Sequence, residues 1–250
     1  AWIKEQMRLL GVPCHYQNFT ANQQIYRNVV CSLNVGRADR VIVGAHYDVF
    51  GDQDGADDNA SGVAGVIETA RILAEQKSKL PNNVDFVFYS LEEPPFYKTE
   101  QMGSYVHAKS VQSQKDKIKG VYILEMIGFF SEQPIQSYPV GLKWIYPSHG
   151  NFIATVSNVS SRDLGAGYCT AMKQLDLLEC QRLVAPRFAN AFDFSDHLNY
   201  WEFDIPAVMI TDTAFYRNGH YHTKADRLAT LNLTKMANVI DGLVQHLLKP

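Results

Sequence analysis

The sequence predicts an α/β fold: three layers, α/β/α, built on a mixed, mostly parallel central sheet. Three observations predict it. First, short runs that are apolar throughout recur along the chain: RVIVGA (40–45), VDFVFYSL (84–91), GVYILEMIG (120–128) and IPAVMITD (205–212). A strand with no polar face is covered on both sides, which is the signature of a parallel sheet between helical layers. Second, segments with apolar residues at helical spacing lie between these runs, and that alternation is what builds such layers. Third, acidic and imidazole residues stand directly after the runs, where open α/β sheets collect their functional groups.

The elements follow in order. Residues 1–10 carry apolar positions at helical spacing and stop at Gly11. Residues 28–35 (NVVCSLNV) and 40–45 read as strands, and the turn at Gly36–Asp39 between them suggests a hairpin. DGADDNA consists of turn and cap residues and precedes a helix over 61–76. The strand 84–91 leads to a helix over 101–115, and the strand 120–128 follows. Region 137–190 reads as a short strand, a helix around 162–178 and loops. The strand 205–212 and a closing helix over 232–248 complete the chain. There is no internal repeat or low-complexity linker, so residues 1–250 are expected to form a single domain.

Composition narrows the function. The chain has 250 residues, 46% hydrophobic and 20% charged, with a formal net charge of −3. With no dense Lys/Arg stripe, nucleic acid is set aside as a partner. No apolar run reaches the roughly 18 residues of a membrane span. A chain of this size buries enough core to fold without disulfide staples. None of Cys14, Cys31, Cys169 and Cys180 sits in a CxxC pair, which argues against a thiolate zinc knuckle or a redox motif. Cys169 and Cys180 are compatible with a bridge or with two unpaired buried thiols, and spacing does not decide. Residue 1 opens directly into a helical segment, AWIKEQMRLLG, so the chain is expected to start after a removed leader or inside a longer precursor.

The chemistry-bearing residues form one constellation. VIVGA ends in His46-Tyr47-Asp48, FVFYSL in Glu92-Glu93 and GVYIL in Glu125, while IPAVMITD is followed by a loop and Tyr221-His222. Asp57 and Asp58 stand just before a helix. Taken singly, each has an ordinary account: a hydrogen-bonded histidine, a solvated glutamate pair, an N-cap. Taken together they do not, because carboxylates converging on one sheet edge repel one another and lose solvation. Bound cations remove that conflict. Asp58, Glu93 and Glu125 bring three negative charges and His46 and His222 none, so two Zn²⁺ and one hydroxide give a neutral centre. Zinc accepts this mixture of imidazole and carboxylate, and paired metals activate a shared water. In His46-Tyr47-Asp48 the i and i+2 side chains share a side of an extended segment, which lets Asp48 orient His46. In Glu92-Glu93 the side chains diverge, so one can bind metal while the other acts as a general base.

The pieces GAHYD (44–48), GADDNASG (55–62), SLEE (90–93), MGS (102–104), LEMIG (124–128), SDH (195–197) and YHTKAD (221–226) occur in an order that resembles the two-zinc aminopeptidases, metallopeptidase family 28 of clan MH. That family includes bacterial leucyl-type aminopeptidases and is related to glutamate carboxypeptidase II and the glutaminyl cyclases. The resemblance spans about residues 28–246 and implies the zinc-dependent exopeptidase fold, of phosphorylase/hydrolase-like type. It implies that His46, Asp58 and Glu125 hold one zinc and Asp58, Glu93 and His222 the other, with Asp58 bridging. Asp58 is chosen over Asp57 because it precedes the N-x-S-G stretch. The resemblance further implies Glu92 as general base and proton donor to the leaving amine, Asp48 as the residue orienting His46, and Tyr221 as a support for the oxyanion, with Tyr216 nearby. It makes the substrate a peptide with a free N-terminus, the nucleophile a zinc-bridged hydroxide, and the location secreted or periplasmic. Cobalt or manganese can take the place of zinc in such a set.

Glu125 departs from the family pattern, where Asp is common, and its extra methylene shifts the carboxylate by about one carbon–carbon bond. The aromatic segment Pro94 to Tyr97 reads either as a wall of the specificity pocket or as a plain connector. Asn59-Ala60-Ser61 is formally a glycosylation sequon, but a glycan there would block the site. Three alternatives are weighed against the aminopeptidase. A glutaminyl-peptide cyclotransferase uses one zinc, whereas the full ligand set is present here. A non-catalytic module like that of transferrin receptors would not need Glu92. A two-metal carboxypeptidase inserts a dimerisation domain, for which the 97-position step from Glu125 to His222 is too short.

Overall fold

The computed structural model describes residues 1–139, 141–185 and 194–249. Eight strands form one sheet in the order β1 (Cys14–Ala21), β2 (Gln24–Leu33), β4 (Asn83–Tyr89), β3 (Arg40–His46), β5 (Ile118–Glu125), β8 (Ala207–Thr211), β6 (Phe152–Ser157) and β7 (Glu179–Val184). The central strands β4, β3, β5 and β8 are mutually parallel, as their unbroken apolar runs predict. Antiparallel pairs flank them: β1 with β2, β2 with β4, and β6 with β8. β7 pairs parallel to β6 at the far edge.

Alternate residues of each central strand feed opposite faces of the sheet. Val41, Val43 and Ala45 pack with α1 (Trp2–Leu9), α2 (Gly62–Glu75), α4 (Arg162–Leu175) and α6 (Leu233–Leu247) through Met7, Val66, Leu73, Tyr168, Met172 and Leu243. Ile42, Val87, Val121 and Ile123 pack on the other face with Ala108 of α3 (Gly103–Val111) and Tyr200 and Trp201 of α5 (His197–Glu202). The result is the three-layer α/β/α arrangement.

Two sequence expectations change. The hairpin between residues 28–35 and 40–45 does not form, because β4 lies between β2 and β3. The connection 34–39 contains no tight two-residue turn to hold the strands together, and it is long enough to step over one intervening strand, roughly 10 Å. β2 instead makes its hairpin with β1, turning at Asn22 and Gln23, both at positive φ (46° and 65°). All four cysteines are bridged, so the reading of Cys169 and Cys180 as free thiols is set aside. Cys14–Cys31 joins directly opposed positions of β1 and β2, and Cys169–Cys180 joins α4 to β7. Two disulfides point to an extracytoplasmic location, and no described helix is long and apolar enough to cross a membrane.

Candidate metal centre

The carboxyl ends of the parallel strands converge on one site. His46 is the last residue of β3 and Glu125 the last of β5, and both side chains are buried. Glu92 and Glu93 follow β4, after Leu91 turns the chain with a φ of 63°. Asp58 lies in the turn that enters α2, which Gly55 opens at φ 59°. The Asp58–Asn59 peptide is cis. His222 comes from the segment after β8 and has a φ of 56°.

The distances sort these groups into two sets around one shared carboxylate. His46 Nε2 is 3.4 Å from Asp58 Oδ1 and 3.4 Å from Glu125 Oε2. His222 Nε2 is 3.1 Å from Asp58 Oδ2 and 3.3 Å from Glu93 Oε2. In each set of three, His46–Asp58–Glu125 and Asp58–Glu93–His222, the donor atoms lie within 4.8 Å of one another. Two atoms each ~2.0–2.1 Å from a tetrahedral zinc sit about 3.3 Å apart, whereas a charged imidazole–carboxylate hydrogen bond closes to roughly 2.7–2.9 Å. Distances of 3.1–3.4 Å suit ligands around an ion. Nε2 of both histidines and Oε1 of Glu93 are buried without hydrogen-bond partners, as donors reserved for a cation would be.

The electrostatics state the same need. Burial pushes Glu93 up to about 8, with the Asp58 charge adding to it. Burial also raises Glu125, and lifts Glu92 well above the carboxylate range against the opposing pull of His46. Burial works to raise Asp58 as well, but its contacts with His222 and His46 prevail and hold it low. The two imidazoles are raised because the carboxylates around them outweigh their own desolvation. Without cations this cluster must take up protons to stay buried.

Supporting groups fix the donors in place. Asp48 Oδ1 lies 3.5 Å from His46 Nδ1. The Asp48 carboxylate also accepts the backbone N–H groups of Glu92 (3.3 Å) and Glu93 (3.1 Å), so it ties the ends of β3 and β4 together. Glu92 Oε2 stands 4.0 Å from His46 Nε2, outside both sets of three. Asp57 is turned away from the centre: its carboxylate accepts from Gly128 N–H (2.9 Å) and Asn218 Nδ2 (2.7 Å). The Tyr221 ring stacks on His222 with centroids 3.7 Å apart. Tyr216 instead lines an apolar pocket that opens beside Glu125, together with Tyr138, Phe152, Phe194, Met209 and Phe215. Pro94–Tyr97 is not in that lining, and Phe96 packs on Tyr26 of β2.

Three supporting residues carried no role in the sequence reading. Asp226 receives the backbone N–H groups of Asp57 (2.8 Å) and Asp58 (3.0 Å) in its carboxylate. Ser195 donates its hydroxyl to Glu125 Oε2 at 2.7 Å. Asn59 donates to Leu124 O (2.9 Å) and accepts from Met126 N–H (3.0 Å), which clamps the Asp58 turn to the end of β5. All three lie inside quoted motifs, and that position was their only signal.

This fold and this donor set define a metal-dependent hydrolase. The chain belongs to peptidase family M28, whose model matches residues 28–247. It is 40% identical over 253 residues to the uncharacterized protein YfbL of Escherichia coli (strain K12), covering 97% of this chain and 77% of that one. It is 26% identical over 226 residues to leucine aminopeptidase 1 of Ajellomyces capsulatus (strain NAm1 / WU24), covering 83% of this chain but 52% of that protein. The chain therefore spans about half the length of that aminopeptidase. In fold it is similar to the LapA aminopeptidase of Legionella pneumophila, with a TM-score of 0.75 at 21% identity, covering 98% of this chain and 62% of that one. It is also similar in fold to the glutaminyl cyclase of Porphyromonas gingivalis, with a TM-score of 0.73 at 19% identity, covering 98% and 86%.

Proposed function

We propose that this chain is an aminopeptidase that hydrolyses the N-terminal peptide bond of its substrate at a site holding two divalent cations, zinc by the character of the donors. The observation that carries the reading is the orientation of Asp58, whose two oxygens face different imidazoles at 3.4 and 3.1 Å. One carboxylate shared between two three-donor sets is what a paired-metal site requires. His46, Asp58 and Glu125 would hold one ion, and Asp58, Glu93 and His222 the other. When bound, the two ions supply Lewis acidity toward a carbonyl and lower the pKa of a shared water.

The chain's own residues do the rest. Glu92 lies beside the donors but in neither set, 4.0 Å from His46 Nε2, where its carboxylate can take a proton from the attacking water and return it to the leaving amine nitrogen. Asp48 holds the ring of His46. Tyr221 is raised by burial and by the neighbouring carboxylates Asp58 and Glu93, so it stays a neutral phenol whose O–H can donate to the developing oxyanion. The apolar pocket beside Glu125 would receive the first side chain of the peptide, which favours an apolar or aromatic residue at that position. A secreted or periplasmic location accords with the two disulfides.

A panel of aminoacyl chromogenic amides, with and without chelator, tests the reading. Leucyl and phenylalanyl amides should be cleaved, chelator should abolish cleavage, and Glu92→Gln should keep its metal while losing activity about 10²–10⁴-fold. Full activity in Glu92→Gln would refute the assignment. The fold shared with a glutaminyl cyclase supports a second reading, acyl transfer at a single zinc. One zinc per active chain, with cyclisation of N-terminal glutamine, would favour that one.

A further inference from the structure

His46 and His222 are held by different means. The Nδ1 of His46 faces Asp48 at 3.5 Å, the arrangement that orients most metal-bound imidazoles. The His222 Nε2 faces Asp58 and Glu93, but among the described residues no group hydrogen-bonds its Nδ1. Its ring lies instead between two aromatic faces. Phe50 stacks on one side with centroids 4.1 Å apart and planes 3° from parallel, and Tyr221 stacks on the other at 3.7 Å and 16°.

Phe50 belongs to the loop after β3, which also carries exposed Val49, and 37% of its surface remains in water. It joins neither buried core cluster. The same loop meets the His222 segment through two exposed ion pairs, Asp52–Lys224 (3.0 Å) and Asp54–Arg227 (3.8 Å), which are weak ties at such exposure. The aromatic contact is the stronger link. We infer that Phe50 is a positioning residue for the second ion: stacked opposite Tyr221, it fixes the plane of His222 and aims Nε2 between Asp58 and Glu93. A bound cation draws the imidazole positive, and a positive ring is a better partner for an aromatic face. Stack and ion therefore favour one another.

The inference rests on His222 being a ligand, and the test separates the two. Metal-free wild type, Phe50→Tyr, Phe50→Leu and His222→Ala are titrated with Zn²⁺ by calorimetry, and the melting temperature of each metal-free protein is measured. Wild type and Phe50→Tyr should bind two ions alike. In Phe50→Leu one ion should bind as in wild type and the other should lose about tenfold in affinity, the scale of one aromatic pair. Phe50→Leu binding both ions like wild type, or Phe50→Tyr weakened as much as Phe50→Leu, overturns the stacking role and leaves the ligand assignment standing. A change confined to the metal-free melting temperature overturns it in the same way. His222→Ala retaining both ions at wild-type affinity removes the ligand assignment, and this inference with it.

Discussion

His107 lies on α3 with 3% of its surface exposed, and its Nδ1 is 2.7 Å from the hydroxyl of Tyr200 on α5. That hydroxyl is in turn 2.7 Å from the hydroxyl of Tyr89, the last residue of β4 and the start of the turn that carries Glu92 and Glu93. In the neutral tautomer with its proton on Nε2, Nδ1 accepts from Tyr200, and Tyr89 then donates to Tyr200. Burial pushes the imidazole down from 6.5 to about 4. The unfolded chain therefore binds a proton that the folded one refuses, and the associated stability is full above 6.5 and lost as the pH falls toward 4. The whole gap corresponds to about 3.4 kcal/mol, of which about 2 kcal/mol is gone by roughly pH 5. The check is urea denaturation of wild type and His107→Gln at a series of pH values, both with chelator so that metal binding does not enter. The stability difference between them should shift by about 2 kcal/mol against wild type between roughly pH 7.5 and pH 5. A difference that stays constant with pH would mean that His107 is not held neutral, and the reasoning fails.

Two further substitutions probe the supports of the centre. Ser195→Ala removes the hydroxyl that holds Glu125 Oε2 at 2.7 Å, and metal affinity, read by competition with a chelator, should fall about 10–100-fold. Unchanged affinity would make Ser195 a bystander. Gly62→Ala would drive a Cβ into Asn59 Oδ1 and the backbone oxygen of Leu124, so the Asn59 clamp must shift. A lowered denaturation midpoint, corresponding to about 1–3 kcal/mol, should accompany weaker metal binding, and a variant as stable as wild type would contradict the packing described.

The centre of the sheet was legible because its strands are covered on both faces. Runs such as VIVGA and FVFY have no polar positions to blur, and their C-terminal neighbours His46, Glu92 and Glu125 stand where parallel strands put functional groups. The edge was not legible. β1, CHYQNFTA, is a half-solvated strand of mixed polarity that lacks the apolar signal, and its turn uses Asn-Gln rather than a glycine. With β1 missed, the Cys14–Cys31 bridge was hidden too, since it depends on those residues facing each other across the hairpin. The error over β2 and β3 has a related origin: sequence adjacency and a turn predicted pairing, but α2 and β4 supply a partner from farther along the chain. Glu93 and Asp58 were readable as acidic residues near strand ends. The roles of Asp226 and Ser195 were not, because a lone carboxylate receiving two backbone N–H groups leaves no spacing pattern.

The hydrogen bonds of Asp226 set a time as well as a position. Asp58 and Asp226 are 168 residues apart, and the turn that presents Asp58 has its two N–H groups satisfied by a carboxylate made much later than the turn itself. His222 arrives on the same late segment. A polypeptide emerging from the ribosome can lay down β1 through β5 and still hold neither the second histidine nor the anchor for the shared aspartate. The candidate centre therefore cannot close until residues 222–226 have been made, so a chain cut short before residue 222 lacks one of its histidines, the Asp226 anchor and the core helix α6 at once.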